Sequence, residues 1–326
     1  MKIMAEFKAL NVSECADAFL GIEKPLIAMH KNPDGDTVGS CAAMCKIFRS
    51  LGKEPMYICA DEIPLRLEFI LQGEREAELT DVAGRDVIAV DVATPTQLGG
   101  LREAVPSFRL MIDHHEVGIP FADNFIIGGA SSCAEVVLEI ALELERRGLY
   151  SMEKGAAYAL YAGISSDTGG FRYSSTTPET MRRAAALMEM GIDFSDINHK
   201  LFSTKTQGQI RVEGFVGSNL KTAFSGRVAY ASITLEDAAA LGAKREDMDT
   251  AVDVVRCAIG SEVAFIAKEL PDGGFKISIR STGTDVAAVA KVFGGGGHIR
   301  ASGCTVAAGG ADEAAELILA ELKKIL

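Results

Sequence analysis

Positions 109–118 read RLMIDHHEVG: an apolar run ends in Asp113, and His114 and His115 follow at once, two of only five histidines in 326 residues. Successive strand residues point to opposite faces, so an adjacent pair suits two different jobs better than one contact. Three other segments carry groups of the same kind. HKNPDGDTVGS (30–40) brings His30, Asp34 and Asp36; VDVATPT (90–96) brings Asp91; SSDTGGFRYSS (165–175) brings Asp167. Singly, each has an ordinary explanation. Asp and Gly are what turns require, and an Asp at a strand end commonly caps a helix. Those explanations must hold in all four places at once, and they leave His30, His114 and His115 without a role. A metal site accounts for all of them. Carboxylates and imidazoles without a soft thiolate suit Mn2+ and Mg2+. Asp34 and Asp36, one residue apart, can serve one ion each, and Asp91 is the natural carboxylate to bridge two. Two cations ~3.5–4 Å apart clamp a phosphoryl group, lower the pKa of a shared water and stabilise the leaving oxygen. That is machinery for hydrolysing phosphate esters.

These groups need a frame, and the first half of the chain reads as one. Short apolar strands are predicted at 25–30, 54–60, 86–92 and 108–113. Helices are predicted at 37–52, closed by Gly52, at 131–148, with Ser at its start and Gly at its end, and at 152–169. Alternation of this kind argues a parallel α/β sheet, and ligands of open α/β sheets gather at the carboxyl ends of the strands. The pattern changes after about residue 215. GRVAYASI, EVAFIAKEL and GFKISIRS look like alternating or antiparallel strands, with PDGG (271–274) as a hairpin turn. A short helix (284–293), a glycine cluster and a C-terminal helix follow. The expected fold is α/β: a parallel-sheet N-terminal domain over 1–192, a helical, polar connector over 193–218, and a smaller α+β domain over 219–326. A chain of this length commonly splits in two.

Composition narrows the partners. Net charge is −12 and no Lys/Arg-rich run occurs, so long nucleic acid, whose affinity comes from phosphate neutralisation, is not an expected partner. An anionic substrate should be small. No stretch approaches the ~18–20 apolar residues of a membrane span, and charges interrupt residues 1–20 where a leader would need an apolar core. Seven scattered cysteines without a C-x-x-C pair fit reduced thiols in a cytoplasm. Cys41 and Cys45, at i and i+4, could pair on a metal, but small buried thiols are the better reading.

FGGGGHIRASG (293–303) lies between a helix and the last strand. Consecutive glycines let backbone N–H groups approach a phosphate closely; a flexible loop is the plain alternative. No Lys-Ser/Thr follows, so this is not a nucleotide-binding P-loop. His298 within the run, with Arg280 and Ser281 ending the preceding strand, favours a phosphate contact, for which Arg is suited.

HKNPDGDTVGS, DVA, DHH and SSDTGGFRYSSTTP, in that order, resemble the motifs of the DHH phosphoesterases, and GGGGHIRASG resembles the glycine-histidine motif of the DHHA1 domain that often follows them. The resemblance spans essentially the whole chain and looks most like the short-oligoribonuclease (nanoRNase) and 3′-phosphoadenosine 5′-phosphate phosphatase branch. It implies metal ligands at His30, Asp34, Asp36, Asp91, His114 and Asp167. It implies that His115 faces the scissile phosphate or protonates the leaving oxygen, with Asp113 supporting it. Gly295, Gly296, Gly297 and His298, with Arg280, Ser281 and the weaker candidate Arg256, would hold the rest of the nucleotide. Arg300 and Ser302 depart from the Lys or small residues common in the family, which bears on the bound base or phosphate and not on the reaction class.

The reading is a two-metal phosphodiesterase that takes very short oligoribonucleotides, linear dinucleotides included, to 5′-mononucleotides; dephosphorylation of 3′-phosphoadenosine 5′-phosphate as a further activity is left open. The cofactors would be two divalent ions, Mn2+ first, with Mg2+ or Co2+ accepted by the same donors. The partners would be short oligoribonucleotide or nucleotide substrates, with no long nucleic acid and no membrane; homodimer assembly is left open. The rivals are a pyrophosphatase-like enzyme, a single-strand exonuclease or a cyclic-dinucleotide phosphodiesterase of the same superfamily. A non-catalytic nucleotide-binding protein on a degenerate site would need missing ligands, and every expected one is present.

Overall fold

A computed structural model describes residues 7–326; the first six, part of the stretch read above for a leader, lie outside it. The chain divides into two compact units, one ending at Thr204 and the other spanning Lys205–Leu326.

The first unit opens with α1 (Val12–Leu20), β1 (Pro25–Ala28), α2 (Gly35–Ser50), β2 (Met56–Ile58), α3 (Glu68–Leu71), β3 (Asp86–Val90) and α4 (Leu101–Ala104). It continues with β4 (Leu110–Asp113), β5 (Asn124–Ile126), α5 (Cys133–Arg146), α6 (Lys154–Asp167), α7 (Pro178–Glu189) and α8 (Phe194–Phe202). The five strands pair in the order β2-β1-β3-β4-β5, all parallel. They are buried on both faces, which is why PLIA, VIAV and LMI read as continuous apolar runs. Ile27, Ile88, Val90 and Ile112 pack beneath α1, α2, α5 and α6. Leu26, Ala28, Val87 and Ala89 face a second cluster with Val92, Leu98, Leu101 and Val105.

β1 and β3 end earlier than the apolar runs suggest, and that places the site. β1 stops two residues before His30, β3 one residue before Asp91, and β4 ends on Asp113. The helix predicted from residue 37 starts at Gly35 because Asp34 caps it. The three helices near the site touch through glycine. A Cβ at Gly39 would stand 2.6 Å from the Ala159 carbonyl oxygen, and one at Gly163 would stand 2.7 Å from the Ala134 Cβ. No larger residue lets α2, α5 and α6 approach so closely.

The second unit contains α9 (Gln207–Ser218), β6 (Lys221–Ala223), β7 (Val228–Ile233), α10 (Leu235–Ala240), α11 (Ala251–Arg256), β8 (Val263–Glu269) and β9 (Phe275–Ser281). After these come α12 (Val286–Val292), β10 (Gly296–His298), β11 (Ala301–Val306) and α13 (Ala311–Leu322). The sheet order is β10-β11-β9-β8-β7-β6. One expectation is corrected here. β7 and β8 are parallel, Val228 pairing with Val263 and Ile233 with Lys268, because a crossover carrying α10 and α11 joins them, as parallel strands require. The β8–β9 hairpin is antiparallel and turns at PDGG, where Gly273 N–H donates to the Leu270 carbonyl at 3.0 Å. The 193–218 span falls on both sides of the division. Ile197 and Leu201 of α8 are buried in the first unit's core, whereas Val212 and Val216 of α9 are buried with Val255 and Ile266 in the second.

Candidate metal centre

At the carboxyl edge of the parallel sheet, His30, Asp34, Asp36, Asp91, His114, His115 and Asp167 converge from four segments. Asp34 is the N-cap of α2, its Oδ1 accepting the N–H groups of Asp36 at 2.9 Å and Thr37 at 3.1 Å. Asp36, 1% exposed, closes the start of α5: Oδ2 accepts the Cys133 N–H at 2.6 Å and Oδ1 the Ala134 N–H at 2.9 Å. Asp91 follows β3 with φ +58°, a left-handed conformation that costs a non-glycine residue ~1–2 kcal/mol. Its N–H still donates to the Ile112 carbonyl at 2.9 Å, so the ladder holds the strained residue in place.

The two histidines of the doublet diverge, their rings 4.7 Å apart and tilted by 57°. His114 Nδ1 lies 3.1 Å from the Ala130 carbonyl oxygen. A carbonyl only accepts, so Nδ1 carries a proton and Nε2 is the free ring nitrogen. That Nε2 is 3.6 Å from Asp91 Oδ1, 3.8 Å from Asp167 Oδ2 and 3.9 Å from Asp36 Oδ2. His30 is built the same way. Its Nδ1 donates to the Lys31 carbonyl at 2.8 Å, and its Nε2 faces Asp91 Oδ2 at 3.4 Å and Asp34 Oδ1 at 3.7 Å. His115 is different: Nδ1 bonds Asp113 Oδ1 at 2.7 Å.

The spacing is that of donors around cations. Nitrogen and oxygen ligands at about 2.0–2.2 Å from an ion stand roughly 3–4 Å from one another, longer than the hydrogen bonds these pairs would otherwise make. Asp91 Oδ1 is buried and has no hydrogen-bond partner, an expensive arrangement unless something else satisfies it. Three groups could hold a metal: His30, Asp34 and Asp91; Asp36, His114 and Asp167; and Asp91, His114 and His115. The two oxygens of Asp91 face His30 and His114 respectively.

The electrostatics show what the crowding costs without a cation. Burial pulls the His30 imidazole down, but Asp34 and Asp91 outweigh it and raise its pKa to about 11. Burial, reinforced by Asp91, Asp167 and Asp34, pushes the Asp36 carboxyl well above the usual range. Burial raises Asp167 to about 6, with Asp91 and Asp34 adding to it and His114 opposing. The Asp113 hydrogen bond raises His115 against burial.

Sequence reasoning missed the parts that aim these side chains: the Ala130 carbonyl, the Cys133 and Ala134 N–H groups, and the glycines at 39 and 163. Only the i, i+4 pair Gly35 and Gly39 left a trace, as a small-residue face on one helix.

In the second unit, Arg280 on β9 pairs with Ala301 on β11, which pairs with His298 on β10. Laterally paired residues share a sheet face, so Arg280 and His298 stand together on one side. Arg256 ends α11, which packs on β8 and β9. The glycine run leads into a β-hairpin of β10 and β11. Gly295 and Gly297 are explained by packing: a Cβ at Gly295 would meet the Gly303 carbonyl at 2.2 Å, and one at Gly297, φ +133°, would meet the Ala301 carbonyl at 2.6 Å. Gly294 and Gly296 have open space. Ser281 spends its hydroxyl on the Thr284 carbonyl, closing the turn into α12.

Comparison with known proteins completes the picture. The family model described as DHH family, N-terminal domain, matches residues 24–164, and the DHHA1 domain model matches residues 225–326. The bifunctional oligoribonuclease and PAP phosphatase NrnA of Thermus thermophilus is 30% identical over 95% of this chain and 93% of its own. The chain belongs to the DHH family. The Bacillus subtilis protein of the same name is 27% identical over 92% of this chain and 94% of its own. Among solved structures, an exopolyphosphatase-related protein from Bacteroides fragilis has a TM-score of 0.87 at 26% identity, covering 96% of this chain and 95% of that one. The DHH match contains the site residues from His30 to His115, and Asp167 lies just beyond it; Arg256, Arg280 and His298 lie in the DHHA1 match. Among the described residues, no helix is long and apolar enough to cross a membrane.

Proposed function

We propose that this DHH-family chain is a two-metal phosphoesterase that hydrolyses very short oligoribonucleotides, linear dinucleotides among them, to 5′-mononucleotides, and also removes the 3′-phosphate of 3′-phosphoadenosine 5′-phosphate. The observation that carries the two-metal reading is Asp91. It is a buried carboxylate whose oxygens face two separate histidines, one oxygen lacking any hydrogen bond. The substrate class is supported by the names of the Thermus and Bacillus relatives. The net charge of −12 favours strands of about two to five nucleotides over long ones, whose binding needs many cationic contacts.

His30, Asp34 and Asp91 would hold one ion, and Asp36, His114 and Asp167 the other, with Asp91 shared. Bound divalent cations, Mn2+ first and Mg2+ or Co2+ by the same donors, supply polarisation of the phosphoryl oxygens and a water of lowered pKa. The chain's own groups do the rest. Asp113 holds His115 by Nδ1 and raises its pKa, so His115 keeps a proton for the leaving oxygen. As a new P–O bond forms, the P–O3′ bond breaks, O3′ takes that proton, and the phosphate stays on the 5′-mononucleotide. In the DHHA1 unit, Arg280 and His298 offer a cationic and a hydrogen-bonding group on one face, which suits a phosphate.

Metal analysis after equilibrium dialysis with Mn2+ tests this. The wild type should hold two ions per chain. Asp91→Asn, a residue that tolerates the left-handed backbone, should hold fewer and lose dinucleotide turnover. Full turnover by that variant would overturn the two-metal reading.

A further inference from the structure

His114 is aimed by a peptide, and the other end of that peptide is also held. The Ala130 carbonyl accepts from His114 Nδ1 at 3.1 Å. The N–H of the same peptide unit belongs to Ser131 and donates to Glu135 Oε2 at 2.9 Å. Glu135 is the third residue of α5 and 3% exposed. A glutamate at that position of a capping box reaches back to the N–H of the N-cap residue. Here the N-cap is Ser132, whose Oγ accepts the Glu135 N–H at 3.2 Å, but the carboxylate passes it and takes the preceding N–H. The second oxygen, Oε1, is buried without a hydrogen-bond partner. The cation facing this carboxylate is Arg183 of α7, Nη1 at 3.7 Å from Oε2, which also pairs with Glu139 and, at 3.6 Å, with Glu179. A buried carboxylate so thinly compensated is costly for a helix cap alone.

We propose that Glu135 is a positioning residue for His114, acting through the Ala130–Ser131 peptide; this rests on the reading of His114 as a metal ligand. The peptide is planar and rigid, so fixing its N–H fixes the direction of its carbonyl. A carboxylate at the N–H also strengthens the carbonyl as an acceptor, because hydrogen bonds in series polarise one another. Both effects hold the proton on Nδ1 and turn Nε2 toward Asp36, Asp91 and Asp167. Metal-binding histidines commonly bond a carboxylate directly; here a peptide is interposed. The same turn presents the Cys133 and Ala134 N–H groups to Asp36, so Glu135 steadies donors on two segments.

The test is a double-mutant cycle on Mn2+ affinity, read from free Mn2+ by electron paramagnetic resonance on the full chain. Glu135→Gln keeps the shape and should weaken binding about 10- to 100-fold. His114→Asn should weaken it too, and the double variant should be no weaker than His114→Asn alone. Arg183→Lys, which keeps the compensating charge, should bind nearly as the wild type does. Additive losses would reduce Glu135 to a structural cap and sink the relay alone. Wild-type affinity in His114→Asn would sink the metal-ligand reading, and the relay with it.

Discussion

Replacing Gly39 by alanine should weaken metal binding although glycine offers no side chain to any ligand. The new Cβ would stand 2.6 Å from the Ala159 carbonyl oxygen, 2.7 Å from Gly163 N and 2.8 Å from Gly163 Cα. All three atoms are α6 backbone and cannot rotate away. Restoring an ordinary contact of about 3.4 Å requires α6 to retreat by about 0.8 Å at that point. α6 ends in Asp167, whose Oδ2 is 3.8 Å from His114 Nε2, and metal–donor distances tolerate only about ±0.2 Å. Three such contacts put the overpacking near the upper end of its usual cost, about 3 kcal/mol, against about 1 kcal/mol gained from the better helix propensity of alanine. The net loss of about 2 kcal/mol should lower the melting temperature by roughly 4–8 °C. Gly155→Ala on the same helix is the matched control, since its Cβ meets only the flexible end of Lys46, at 3.2 Å. Thermal unfolding with and without Mn2+ reads both effects, because a bound ligand raises the midpoint according to its affinity. A Gly39→Ala protein that melts early yet keeps wild-type Mn2+ affinity would refute the claim that helix spacing sets the site.

Mn2+ binding should release protons. His30, raised to about 11 by Asp34 and Asp91 against burial, is charged at neutral pH in the cation-free protein and must lose its Nε2 proton to ligate. Affinity should therefore rise about tenfold per pH unit from pH 7 to 9 for each proton released, and calorimetry in buffers of different ionisation enthalpy should count at least one. A pH-independent affinity would count against it. The sign for stability is the opposite: the charged imidazole stabilises the cation-free protein fully below about pH 6.5, and that contribution is lost as pH rises toward about 11. His114→Ala should lower metal content, whereas His115→Gln should leave it near wild type and slow turnover by about 10²–10⁴-fold. Equal metal loss in both would show that the doublet does not divide its labour.

The candidate site was legible because its His and Asp side chains sit where parallel strands stop. PLIA, VIAV and LMI are buried on both faces, and each is followed within two residues by His or Asp. What aims the ligands was not legible, because it is non-local. Asp36 accepts from Cys133 and Ala134, 97 and 98 residues away, and nothing in either segment names the other. The parallel pairing of β7 and β8 was hidden for a related reason: the burial alternation of VAYASI is the same whichever direction its partner runs. β5, three residues long, is too short to leave a periodic signal. The glycine run was ambiguous in kind. Close approach and loop flexibility both ask for glycine, and only the β11 backbone shows that Gly295 and Gly297 serve the first.

The central claim, a two-metal site acting on very short nucleotides, is tested most directly by a turnover panel with Mn2+ present. It should contain a dinucleotide, a pentanucleotide, a strand of about 20 nucleotides, 3′-phosphoadenosine 5′-phosphate, pyrophosphate and inorganic polyphosphate, the last because of the name of the Bacteroides structure. The account predicts the highest kcat/KM on the dinucleotide or pentanucleotide, measurable release of phosphate from 3′-phosphoadenosine 5′-phosphate, and loss of both in Asp91→Asn. A clear preference for the long strand, pyrophosphate or polyphosphate would contradict it.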